Sequence, residues 1–281
     1  MTEGDAASAA TEQGSRNLML RVVAALVLAP SAIALADAGG WLWAGLVMLA
    51  SIGLYVEWLM VVGAVREKPV VATGGVALAL SGLCLASGRI DAALIVSAIG
   101  HAAVALLSPP PRRWSAAGFL YAVVAEIASI LVRLDETYGF VALVLILLVV
   151  WATDIGGFFA GRTFGGPKLW PRVSPKKTWA GAAGGFLVSL AVSAGFAALG
   201  LAKTGPILLL GAALSIASQL GDLLESAVKR RFGVKDSSHL IPGHGGLMDR
   251  LDGFVAAVVF AAILGLLRGG MDGVGRGLMV W

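Results

Sequence analysis

Nine apolar runs make up most of the chain, roughly 19–37, 41–64, 70–87, 90–107, 115–133, 138–160, 179–200, 205–227 and 252–268, each ended by charges or turn formers. About 20 predominantly apolar residues suffice for a helix to cross the hydrocarbon of a bilayer. The expected architecture is therefore all-α, an integral membrane helical bundle of about nine transmembrane helices. The third and fourth runs are shorter and separated only by Gly88 and Arg89, which leaves a re-entrant pair as the alternative there. Composition agrees: 58% hydrophobic, 14% charged and a mean hydropathy of +0.88 lie outside the profile of a soluble domain. The 38 glycines would weaken soluble helices but let membrane helices approach backbone to backbone.

A formal charge of +4 and a pI near 9.5 would suggest nucleic acid only if the cations formed a patch. They sit between apolar runs instead, and no nucleic-acid partner is expected. Lys and Arg accumulate on the cytoplasmic side of membrane proteins. With the N-terminus inside, all 21 except Arg89, Arg133, Lys203, Arg268 and Arg276 fall on that side, and an odd number of spans leaves the C-terminus outside. Residues 1–18 carry Glu3, Asp5 and Glu12 without the basic start of a cleaved signal peptide, and read as a disordered cytoplasmic tail. The remainder divides into N-terminal transmembrane helices, 19–137, and C-terminal ones, 138–281, which carry the chemistry. The lone Cys84 has no disulfide partner and reads as a packing residue.

Two polar blocks hold most of the unusual residues, and both fall on the cytoplasmic side. In the later one, Asp249 and Asp252 stand at i, i+3. On a helix starting there they share a face and would grip a hard cation, with Asp222 contributed by the preceding span. Oxygen-only ligands suit Mg²⁺ or Mn²⁺, which would also hold nucleotide phosphates. Lys229, Arg230, Lys235 and Arg250 supply the cations needed to bring two phosphate groups together. Pro242, Gly243, His244, Gly245 and Gly246 form a turn whose backbone N–H groups could face phosphate oxygens. Of the histidines, His244 is favoured for contact with phosphate or as a proton carrier. Arg231 reads as an anchor to anionic lipid.

In the earlier block Asp154 closes an apolar run, and an ionisable group there faces protein or water and is a functional candidate. Ser174, Lys176, Lys177 and Thr178 combine hydroxyls, cations and a helix start, a good phosphate receptor at a membrane surface. Glu57 and Glu126 interrupt apolar runs and are candidates for lining a water-filled cavity or the substrate cleft. His101 reads as a packed or interfacial residue.

The later block resembles the signature of CDP-diacylglycerol synthases, also called phosphatidate cytidylyltransferases, in Ser226, Lys229, Arg230, Lys235, Asp236, Pro242, His244, Gly245, Gly246, Asp249, Arg250 and Asp252. Trp151, Asp154, Gly161, Arg162 and the run from Ser174 to Thr178 also look like that family; Ile155 and Gly157 depart from its commoner choices, which bears on local packing. The motifs cover roughly the last 130 residues, and the first 150 match in hydropathy alone. The resemblance implies a polytopic, dimeric enzyme that transfers CMP from CTP to phosphatidic acid and requires a divalent metal; between a bacterial plasma membrane and an organelle's, the short tail without a targeting sequence favours the bacterial one. Asp222, Asp249 and Asp252 would hold the metal. Lys229 and His244 would join Asp222 and Asp249 in catalysis. Ser174, Lys176, Lys177, Thr178, Arg230, Lys235, Arg250, Gly245, Gly246 and Asp154 would bind substrate. A CTP-using lipid kinase would share topology, metal and nucleotide and differ in product. A transporter would instead line a path through the bilayer with its cations, whereas here they collect on one side.

Overall fold

In the computed structural model, which describes residues 29–110, 113–238 and 245–281, the apolar runs are helices. Residues 29–38 form α1, followed by α2 (Gly40–Val61), α3 (Lys68–Ala86), α4 (Ile90–Leu107), α5 (Trp114–Leu134), α6 (Gly139–Phe164), α7 (Trp179–Ala198), α8 (Thr204–Arg231), α9 (Met248–Gly269) and the short α10 (Val274–Met279). Eight of them, α2 to α9, are long and apolar enough to cross a membrane. The first expected span, 19–37, lies mostly outside the described residues, and the expected tail, 1–18, wholly so.

Helices α3 and α4 have 19 and 18 residues, and at 1.5 Å per residue even the shorter reaches about 27 Å. They are two helices packed on each other, each long and apolar enough to cross a membrane. Gly88, at φ 74°, makes the turn between them.

Two apolar clusters hold the bundle. One surrounds α6 and draws on α5, α8, α9 and α10 (Leu143, Ile146, Leu131, Leu214, Val258, Leu278). The other joins the second half of α2 to α3, α5 and the start of α9 (Tyr55, Leu59, Leu78, Phe119, Met248). After α9 the chain turns back, and α10 packs against α9, α6 and α5. The return is tied by Arg268 Nη2, which donates to the Val280 carbonyl at 3.1 Å, and by the Arg276 N–H, which donates to Asp135 Oδ2 at 2.7 Å.

Where α6 meets α7 the seam is made of glycine. A Cβ at Gly181 would stand 2.9 Å from the Gly157 carbonyl, and one at Gly185 would run into the Thr153 carbonyl. Small residues permit this approach, and close packing is what drives association in lipid. Gly185→Val should therefore cost about 3 kcal/mol, because the obstacle is backbone and cannot rotate away. Thermal unfolding of detergent-solubilised protein, followed by loss of the monodisperse gel-filtration peak, checks this.

One element departs from the all-helical expectation. Lys168–Trp170 (β1) and Ser174–Thr178 (β2) form an antiparallel hairpin between α6 and α7, with Lys168 opposite Thr178 and Trp170 opposite Ser174. The hairpin leads straight into α7, whose N-cap is Thr178: its Oγ1 accepts from the Gly181 N–H at 3.1 Å.

Candidate active site

Along α8, Asp222, Glu225, Ser226 and Lys229 recur at i, i+3, i+4 and i+7 and so share one face. The helix runs on to Arg231, four residues past the expected end of the span, so Lys229 and Arg230 lie in its last turn rather than in a loop. Lys229 is buried, 8% exposed. Its ammonium lies 2.5 Å from Asp249 Oδ1 and 3.1 Å from Glu225 Oε1.

The two aspartates at the start of α9 have different surroundings. Asp249 Oδ2 accepts from the Gly246 N–H at 2.9 Å and from the Ser237 N–H at 3.1 Å, with Ser237 Oγ also 3.1 Å away, while Oδ1 meets Lys229. Both of its oxygens are thus engaged by donors of the chain itself. The backbone donors, Gly246 and Ser237, belong to the chain that precedes the helix, and the positive end of α9 favours a carboxylate at this position. Asp252 instead comes within hydrogen-bonding reach of the Glu225 carboxyl, and its Oδ1 accepts from the Gly253 N–H at 2.7 Å.

Asp222 is ion-paired with Lys177 of β2. Alternation along the strand turns Lys177 toward α8 and leaves Lys176 exposed on the other side. Asp154 lies on α6 ten residues before that helix ends. It sits in the field of the Asp252 and Asp222 carboxylates, with Lys177 and Arg250 as the opposing cations. Asp154, Asp222, Glu225 and Asp252, from three helices, thus form one acidic group edged by Lys177, Lys229 and Arg250.

Other candidates stand apart from this group. Arg230 is exposed and its Nη1 donates to the Val234 carbonyl at 2.9 Å, and Lys235 is exposed on the loop after α8. Ser174 lies in the hairpin opposite Trp170. Gly245 takes φ 82°, and the Gly246 N–H is spent on Asp249. His244, with His239, Pro242 and Gly243, lies outside the described residues. Arg231 packs its guanidinium over the Trp114 ring, 5.3 Å from the centroid.

Three participants were not singled out in the sequence. Glu225 sits between Lys229 and Asp252, and Ser237 binds Asp249. Tyr121 of α5 brings a buried hydroxyl, without a hydrogen-bond partner among the described residues, into the field of Asp252 and Glu225. The i, i+3 spacing of Asp222 and Glu225 on a helix ending in cations was the available signal for Glu225; for Tyr121 there was none.

The acidic group has the all-oxygen chemistry of a magnesium site, and two carboxyls as close as Glu225 and Asp252 call for a shared proton or a cation nearby. Among the described residues no three His, Cys, Asp or Glu side chains form a preformed metal cage. In nucleotide sites Mg²⁺ commonly takes one or two carboxylates and completes its shell with water and phosphate oxygens, a number that Asp222 and Asp252 can supply.

A sequence model of the cytidylyltransferase family matches residues 19–267. The phosphatidate cytidylyltransferase of Brucella suis biovar 1 (strain 1330) is 39% identical over 257 residues, covering 89% of this chain and 94% of that protein. Proteins of the same name from Bacillus subtilis (strain 168) and Haemophilus influenzae are 41% and 44% identical over 135 and 132 residues, about half of each protein. With a family match across nearly the whole membrane bundle and its acidic group, this chain belongs to the cytidylyltransferase family.

Proposed function

We propose that the protein transfers CMP from CTP to phosphatidic acid, forming CDP-diacylglycerol and pyrophosphate, at the cytoplasmic face of a bacterial plasma membrane. The observation that carries this is the meeting of acids and cations from α6, β2, α8 and α9 at one end of a lipid-embedded bundle. There a water-soluble nucleotide and a lipid headgroup can both arrive. The name shared by the relatives supports the substrates.

In the reaction a phosphatidate oxygen bonds to the α-phosphorus of CTP as the bond from that phosphorus to the α,β-bridging oxygen breaks, and pyrophosphate leaves with the electron pair. Alignment and charge neutralisation supply most of the catalysis in such a step. Asp222 and Asp252 would hold Mg²⁺ (or Mn²⁺), which when bound neutralises phosphate charge and orients the phosphates. Lys177 and Arg250 bind phosphate oxygens at the edge of the acidic group, while Asp154 keeps those two cations turned inward. Lys229 is held by Asp249 and Glu225 and aimed at the charge that develops on the reacting phosphates. Lys176, Ser174, Thr178, Arg230, Lys235 and Gly245 serve the outer phosphates of nucleotide and lipid, and His244 touches phosphate or carries a proton. The enzyme works as a homodimer with its N-terminus in the cytoplasm.

Pyrophosphate release by purified protein in mixed micelles tests this reading. Release should require both CTP and phosphatidic acid, stop on addition of EDTA and return with excess Mg²⁺. Release without phosphatidic acid, or undiminished by EDTA, would count against it.

A further inference from the structure

Glu57 lies in the second half of α2, remote in sequence from every residue of the acidic group, and is 1% exposed. A buried carboxylate is stable only when its oxygens are fully engaged. Those of Glu57 receive four hydrogen bonds: Oε1 from Ser238 Oγ at 2.7 Å and the Leu247 N–H at 2.8 Å, Oε2 from Ser237 Oγ at 2.8 Å and the Met248 N–H at 2.7 Å. Two donors thus come from the chain leaving α8 and two from the entry to α9. Ser237 Oγ also stands 3.1 Å from Asp249 Oδ2, and Asp249 Oδ1 is 2.5 Å from Lys229 Nζ. A continuous path therefore runs from Glu57 through Ser237 and Asp249 to the lysine. Gly246 is wrapped inside it, since a Cβ there would stand 2.5 Å from Glu57 Oε2 and meet Ser237 Oγ as well.

Resting on the function proposed above, we propose that Glu57 is a positioning residue for the reaction: it fixes the first turn of α9 and, through Ser237 and Asp249, the place of the Lys229 ammonium. It touches no substrate. It links the N-terminal helices, which carry none of the sequence signature, to the reacting groups. An ammonium displaced by about 1 Å is enough to cost on the order of 100-fold in rate, whereas a residue that merely caps a helix changes the amount of folded enzyme and not its turnover.

The test compares Glu57→Ala, Ser237→Ala and the double variant, reading kcat per folded molecule, both KM values and thermal unfolding. Ser237→Ala leaves three of the four bonds to Glu57 and the backbone N–H bond to Asp249, and removes the hydroxyl that stands between the two carboxylates. It should lower kcat about tenfold, and Glu57→Ala about 100-fold, with both KM values within about threefold and the double variant no worse than Glu57→Ala alone, as groups acting along one path are not additive. If Glu57→Ala does not fold, Ser237→Ala decides alone. Wild-type kcat per folded molecule in Ser237→Ala, or losses that multiply in the double variant, would overturn the proposal. A readout independent of the reaction is acetylation of Lys229 by a water-soluble amine reagent, followed by peptide mass spectrometry. Acetylation should be slow in the wild type and at least about tenfold faster in either single variant, and an unchanged rate would overturn the proposal. Wild-type protein that forms no CDP-lipid would defeat the functional reading, leaving the placement of Lys229 to be judged by acetylation.

Discussion

Lys229→Ala should lower CDP-diacylglycerol formation by about 1000-fold, in the range found when one preorganised donor to a developing charge is removed. It should also lower stability by about 3 kcal/mol or more, because Glu225 and Asp249 are left in a buried site without their cation. Lys229→Met should show nearly the same loss of activity, since it restores volume and not charge. Incorporation of ring-labelled CTP into lipid measures the first effect and thermal unfolding in detergent the second. A Lys229→Met enzyme with more than a tenth of wild-type activity would remove the lysine from the mechanism.

The second large effect separates the two aspartates of α9. Asp252→Asn keeps an oxygen for the Gly253 N–H and relieves repulsion with Asp222 and Glu225. The fold should be as stable as the wild type or slightly more so, while activity falls by about 1000-fold, the several kcal/mol that a correctly held metal contributes. Asp249→Asn should lose activity and stability together, by about 2 kcal/mol in stability, since the amide no longer pairs with Lys229 and turns an NH₂ toward donors at Ser237 or Gly246. Kinetics as a function of Mg²⁺ concentration, alongside melting curves, distinguish the two. A stable Asp249→Asn protein rescued by high Mg²⁺ would return Asp249 to the metal.

Much of the bundle was legible because an apolar run of about 20 residues has few other uses. Even the short α3 and α4 are full helices. Local signals misled where a helix ran beyond its hydrophobic stretch. Lys229 looked like a loop cation, yet α8 continues through it because Glu225 and Asp249 neutralise it inside the protein. Asp249 and Asp252 do share the start of a helix, but spacing could not show that N–H groups of the preceding chain, at Gly246 and Ser237, take up one of them. The hairpin around Lys176 and Lys177 read as a plain approach to a helix, since three- and five-residue strands carry little pattern. Glu57 stood out only as an acid in an apolar run. Its four donors lie some 180 to 190 positions away, a separation no local pattern encodes.

The most direct test of the account is a two-label experiment on purified protein with phosphatidic acid and Mg²⁺, using CTP labelled in the cytosine ring and CTP labelled at the γ-phosphate. Ring label is expected in the chloroform-soluble product and γ-label only in aqueous pyrophosphate, with transfer by Asp252→Asn lower by about 1000-fold. γ-Label in the lipid with ring label left in water would contradict it and make the protein a lipid kinase. Neither label moving in folded wild-type protein would contradict catalysis altogether.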